Sequence, residues 1–142
     1  MKNQIKQTVT FNCSPQQLYQ LMTESDLHAL FTKKPAHLSK KVGGKFRSYG
    51  KKIEGFNLEL VKNKTMVLAW RTHDWDKNVY SIVTFNFHKA AGGKCKLVMT
   101  QTAIPSGEAT HISDGWKEYF WNPIKTYLKE SKRTRSRPRR AA

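Results

Sequence analysis

Nucleophiles, bases and metal ligands are all present in this chain, but their spacing does not assemble them into a site. A hydrolase places a nucleophile beside a base. Ser14, Ser48, Ser81 and Ser113 stand in no nucleophile-elbow sequence, and Ser106-Gly107 follows Pro105 in a turn. His28, His37, His73, His88 and His111 are never three or four apart, and neither Cys13 nor Cys95 lies at ligand spacing to any of them. The expectation is therefore scattered surface histidines and two reduced, structural thiols, with no metal centre and no disulfide framework. Asp74 and Asp76 bracket Trp75 like half of an acidic metal loop, and are read as a polar hairpin tip. Gly43-Gly44 and Gly92-Gly93 lack the strand-to-helix setting of a phosphate loop and are read as turns. With no acid–base pair to name, the chain reads as a non-enzyme that takes no cofactor.

Charge is the other chemical signal. Against 10 Asp and Glu stand 26 Lys and Arg, for a net charge of +16, a balance that favours nucleic acid, acidic protein surfaces or anionic lipid headgroups as partners. The last dozen residues hold Lys132, Arg133, Arg135, Arg137, Arg139 and Arg140 with no acid among them, and this tail is read as the one dense cluster. Counterion release by these cations predicts weak, salt-sensitive, sequence-blind binding to nucleic acid or to an anionic surface. The tail has no aromatic residue on which a base could stack.

The elements that would position any site follow from periodicity. A chain of 142 residues with 38% hydrophobic and 11% aromatic residues can close one core but not two. It has no run of roughly 20 apolar residues and no apolar stretch before Phe11 that would serve as a signal peptide, so the expected location is cytoplasmic. Ile5, Val9 and Phe11 alternate in a first strand that Gln7 interrupts. Ser14-Pro15-Gln16-Gln17 is a helix start with a capping box. Leu18, Leu21 and Met22 line one short helix, and Leu27, Leu30 and Phe31 a second.

From His37 to Thr102 short runs with turn signals between them predict an antiparallel meander. Met66, Leu68 and Trp70 share one face of their strand, as do Val83, Phe85 and Phe87, and Cys95, Leu97 and Met99. Ile112, Trp116, Tyr119, Phe120, Ile124, Tyr127 and Leu128 recur at three- and four-residue spacing in a closing helix. Pro123 predicts a kink near Tyr119 to Asn122. Helical periodicity ends at Glu130, which divides the chain into a folded domain over residues 1–130 and a disordered basic tail over 131–142.

Strand, two short helices, a six-stranded meander and a long closing helix make the α+β helix-grip plan of START-like (Bet v 1-like, SRPBCC) domains, a curved antiparallel sheet wrapped around the last helix. Val42-Gly43-Gly44-Lys45-Phe46, Ile53 through Val61, and Leu68-Ala69-Trp70-Arg71 resemble successive strand motifs of the activators of heat-shock-protein-90 ATPase and their homologues. Tyr80 through Phe85, Leu97 through Pro105, and Gly115 through Ile124 resemble that family's last strands and closing helix, so the resemblance covers about residues 8–128. It implies a chaperone-associated, stress-response role. In the family's eukaryotic co-chaperones the module follows a separate N-terminal domain that lies outside this sequence, so contact with the chaperone is expected of it rather than full ATPase activation.

The resemblance also implies a hydrophobic cavity between sheet and closing helix that holds a small apolar ligand or is filled by its own side chains. Its candidate walls are Trp70, Phe85, Met99, Trp116, Phe120 and Tyr127, with Arg71 and Gln101 as polar anchors for a ligand. Arg71 and Tyr119 are the remaining candidates for catalysis on a hydrophobic substrate held there.

Overall fold

The computed structural model describes residues 3–136, with side chains through Lys132. The chain begins with strand β1 (Ile5–Phe11) and turns into α1 (Pro15–Thr23). The turn is closed by reciprocal bonds: the Gln17 amide donates to Ser14 Oγ at 3.1 Å, and the Ser14 amide donates to Gln17 Oε1 at 2.9 Å. Two of the helix's orphan donors are thereby satisfied, and Pro15 occupies the first turn, where a missing amide costs nothing.

Helix α2 (Ser25–Thr32) follows after one residue. Its buried face is not the expected one: His28, Phe31 and Thr32 point inward, Leu27 is half-buried and Leu30 is 51% exposed. The helix presents His28 to the core because both ring nitrogens find partners there, which removes the penalty that otherwise keeps histidine outside.

Six more strands form the meander: β2 (His37–Leu38), β3 (Lys45–Ser48), β4 (Ile53–Val61), β5 (Thr65–Thr72), β6 (Ser81–Ala90) and β7 (Lys94–Thr102). All pairings are antiparallel, in the order β1-β7-β6-β5-β4-β3-β2. The first strand thus closes on the last, Phe11 opposite Cys95 and Ile5 opposite Gln101. The alternating residues read from β5, β6 and β7 all lie on the buried face. In β4 an irregularity between Asn57 and Glu59 leaves Leu58 as an extra residue, 40% exposed, and bends the sheet as bulges do. Three residues before Leu58 the backbones approach closely: a Cβ on Gly55 would stand 1.8 Å from the Ala69 carbonyl oxygen, so only glycine fits.

The closing element packs across the concave face in three pieces: α3 (Ala109–Trp116), a π-helical turn over Lys117–Trp121, and α4 (Asn122–Ser136). The irregularity falls immediately before Pro123. The Asn122 amide reaches back five residues to the Lys117 carbonyl, and Pro123 has no amide to donate to Tyr119 four residues earlier. The Tyr119 carbonyl instead accepts the hydroxyl of Tyr49. In a straight α-helix residues five apart point about 140° apart. Here Trp116 and Trp121 stack at 5.4 Å with an interplanar angle of 17°, so the π turn brings Trp116, Phe120 and Trp121 together into the core. Helix α4 continues six residues past the expected boundary at Glu130, to Ser136.

Candidate functional site

The concave face of the sheet and the π turn enclose a small cavity. Trp70, Phe85, Trp116 and Phe120 line it, as expected, together with Met66 and Leu68. The space open to the centres of water molecules is only about 30 Å³, room for about two waters. Trp116 fills much of the remainder: its ring lies 4.7 Å from Phe120, 5.4 Å from Trp70 and 5.6 Å from Phe85.

Polar groups in this core are engaged with one another. Trp116 Nε1 donates to Gln101 Oε1 at 2.7 Å, Gln101 Nε2 donates to Ser81 Oγ at 2.9 Å, and Ser81 Oγ donates to the Trp70 carbonyl at 2.8 Å. Gln101 and Ser81 are fully buried, so this relay answers for polar atoms that would otherwise cost several kcal/mol each. Gln7, the residue that interrupts the β1 pattern, is satisfied similarly. Its Nε2 donates to the Ser113 carbonyl and hydroxyl, and its Oε1 accepts from Trp121 Nε1 at 2.5 Å.

At the opposite end of the cavity sits a pair that sequence spacing did not reveal. His28 lies 3.0 Å through Nδ1 from the Leu21 carbonyl and 2.7 Å through Nε2 from Ser48 Oγ. A carbonyl can only accept, so Nδ1 carries the proton and Nε2 accepts from the serine hydroxyl. Burial drives the imidazole down to about 4, against the partial opposing effect of the Leu21 bond, and the ring is neutral at physiological pH. The surface reading of His28 is thus overturned, while the other four histidines are exposed. The overlooked signal was helical: His28 is three and four residues from Phe31 and Thr32, on their face of α2.

The remaining candidates lie elsewhere. Met99 is fully buried on β7, between Gln7 of β1 and Phe85 of β6. Arg71 points away from the cavity. Its Nη1 pairs with Glu54 Oε2 at 2.6 Å, Nη2 donates to the Trp75 and Asp76 carbonyls at 2.7 and 3.2 Å, and Nε donates to the Val79 carbonyl at 3.2 Å. Arg71 therefore clasps the β5–β6 loop. Asp74 in that loop accepts from the Thr72 hydroxyl, which holds its carboxyl below the usual range. Tyr119 is 48% exposed, and Tyr127 is half-buried against the edge of the core, outside the cavity lining. Burial pushes the thiols of Cys13 and Cys95 up to about 12 and about 11, which keeps both protonated and weakly nucleophilic. No group of three or more His, Cys, Asp or Glu that could hold a metal occurs among the described residues. Among those residues, too, no helix is long and apolar enough to cross a membrane.

Of the tail candidates, Lys132 is exposed on α4 and Arg133 and Arg135 fall in that helix's last turn; Arg137, Arg139 and Arg140 lie outside the described residues. The tail is not the one dense cluster of charge. Residues 27–53 hold eight cations and no carboxylate, all exposed along β2, β3 and their flanking loops. Contiguous counting missed them because a hairpin joins residues that the sequence separates.

Comparison with known proteins places this architecture. The chain is 33% identical over 116 residues to the human activator of 90 kDa heat shock protein ATPase homolog 1, an alignment covering 82% of this chain and 34% of that one. It is 32% identical over 115 residues to the activator of 90 kDa heat shock protein ATPase homolog of Dictyostelium discoideum, covering 81% and 30%. The chain thus spans about a third of the length of these curated relatives. A crystal structure of an HSP90 activator from Plasmodium falciparum superposes with a TM-score of 0.84 at 26% identity, covering 89% of this chain and 96% of that one. The family described as activator of Hsp90 ATPase homolog 1-like protein matches residues 12–129, and with its helix-grip sheet and closing helix the chain belongs to that family.

Proposed function

We propose that this domain is a non-catalytic binding module that docks on an Hsp90-type chaperone. The observation that carries the proposal is the likeness over four-fifths of the chain to relatives named for activating that chaperone's ATPase, the human one covering 82% of it. The interior supports a protein-partner role over a ligand carrier. A small-molecule site typically encloses about 300–1,000 Å³, against a cavity here of about 30 Å³.

Gln101, the polar group best placed to orient a ligand, is already spent on Trp116 and Ser81. The His28–Ser48 pair has the geometry of a nucleophile and base, but a base that titrates near 4 draws a proton from serine poorly at neutral pH. The cavity beside it has no room for an acyl substrate. The outer surface, not the cavity, is therefore the working part of the molecule.

Titration calorimetry of the full chain against a purified Hsp90-type chaperone tests the reading. The expected result is saturable binding and a raised Tm for the domain. Absence of heat and of a Tm shift at concentrations up to about 100 μM overturns it. Native mass spectrometry decides the ligand question, since a discrete extra mass that leaves on denaturation would show an occupied, expanded cavity.

A further inference from the structure

The basic run between α2 and β4 and an apolar groove beside it form a continuous surface. At one end of the β2–β3 hairpin the Gly50 amide donates to the Pro35 carbonyl at 2.9 Å, which draws the turn carrying Lys51 and Lys52 against the turn carrying Lys33 and Lys34. Midway, Arg47 stands opposite His37 across the strand pair. At the far end Lys40, Lys41 and Lys45 surround the turn, with Lys40 held 2.6 Å from Glu24. The four lysines of the near end are exposed.

Next to them lies a groove of about 370 Å³ between α2 and α4, lined by Leu30, Lys33, Tyr49, Pro123 and Tyr127. Leu30, which lines the groove with Lys33, and Tyr119, which packs on Tyr49, are 51% and 48% exposed. Tyr49 is fixed in place, with its hydroxyl on the Tyr119 carbonyl and its ring edge-on to Tyr119 and Phe120 at 5.5 and 5.8 Å. The far rim carries Glu118 and Glu130.

We propose that this groove and the near end of the hairpin are one docking surface for an acidic polypeptide segment that carries an apolar anchor. The anchor enters between Leu30 and Tyr49, and its flanking carboxylates lie over Lys33, Lys34, Lys51 and Lys52. Exposed charge pairs steer and orient more than they bind, so a charged strip alone makes a weak site. The contiguous apolar groove supplies the desolvated centre that an interface needs. A nucleic-acid strand fits less well, because the Tyr49 ring is already engaged with Tyr119 and Phe120 rather than free to stack on a base. Assigning the segment to the chaperone rests on the function proposed above, whereas the surface chemistry rests on this chain's residues alone.

The test uses the full chain with three probes: a fluorescein-labelled dodecapeptide of glutamates with a central leucine pair, a labelled single-stranded RNA 12-mer, and a purified Hsp90-type chaperone. Two variants of equal charge change are compared, K33E/K34E/K51E/K52E and the remote K62E/K64E/K89E/K94E, all at exposed positions. The near-end variant is expected to raise the peptide Kd at least about thirtyfold and the remote one less than about threefold. Leu30→Glu is expected to weaken peptide binding about tenfold. Equal losses in both quadruple variants, no binding of the peptide, or tighter binding of RNA than of peptide at physiological salt overturns the surface. If the peptide behaves as expected and the chaperone does not bind, the surface stands and the chaperone reading falls. If the chaperone binds both variants alike, the chaperone reading stands and the assignment of its segment to this surface falls.

Discussion

Acidification should destabilise this domain in part through one buried imidazole. In the folded chain His28 is neutral and titrates near 4, whereas exposed in the unfolded chain it returns to 6.5. Between those values the unfolded state binds a proton that the folded state refuses, so stability falls as pH is lowered. Its contribution is whole above about pH 6.5, is lost as the pH falls toward 4, and levels off below that. At 1.36 kcal/mol per pH unit the loss is about 2 kcal/mol between pH 7 and 5, and about 3 kcal/mol by pH 4.

Carboxylates contribute in the same range, so the experiment is a double difference. Urea denaturation of the wild type and His28→Gln is followed at pH 7, 6 and 5. Glutamine cannot charge, and whatever constant stability it loses cancels in the comparison between pH values. The wild type should lose about 2 kcal/mol more than the variant between pH 7 and 5. Parallel curves, within about 0.5 kcal/mol, would show that the imidazole is solvated or already protonated and would refute the buried neutral assignment.

Tyr49→Phe removes the hydroxyl that satisfies the Tyr119 carbonyl beside Pro123, and should cost about 1 kcal/mol in chemical denaturation without altering the circular dichroism of the native state. Gly55→Ala forces a methyl against the Ala69 carbonyl oxygen at 1.8 Å. The β4–β5 pair must separate, so a loss of about 3 kcal/mol or more, or failure to recover soluble protein, is expected. Deleting residues 132–142 removes six cations and should abolish any salt-sensitive binding to a labelled oligonucleotide in an anisotropy titration. Unchanged affinity would show that the binding comes from cations of the folded body instead.

The two catalytic-looking features of the molecule illustrate why function has to be argued from a site and not from a fold. A serine 2.7 Å from a histidine is a nucleophile–base pair by distance alone. Its burial, depressed basicity and lack of adjoining space make it a core hydrogen bond instead. Arg71, which sequence reasoning assigned to a ligand's polar end, makes four hydrogen bonds, three to carbonyls of the β5–β6 loop and one to Glu54 of β4.

Local patterns in the sequence determined most of the architecture. The capping box at Ser14, the alternation in β5, β6 and β7, and the turn signals between strands each involve residues within a few positions of one another. Local geometry alone decides such features. Pro123 announced its irregularity because a missing amide acts on its own helix. What remained hidden depended on which residues meet across the fold. Gln7 looked like a fault in β1 until Ser113 and Trp121 came to it from more than a hundred residues away.

His28 looked like a surface residue until Ser48, twenty residues on, gave it a partner. Whether Arg71 faced in or out turned on strand register, where a shift of one residue exchanges the two faces. The groove and the basic hairpin, finally, exist only because β2, β3, α2 and α4 are brought side by side. Periodicity records which residues are buried, but the tertiary structure decides what each buried polar group bonds to and which exposed charges share a surface.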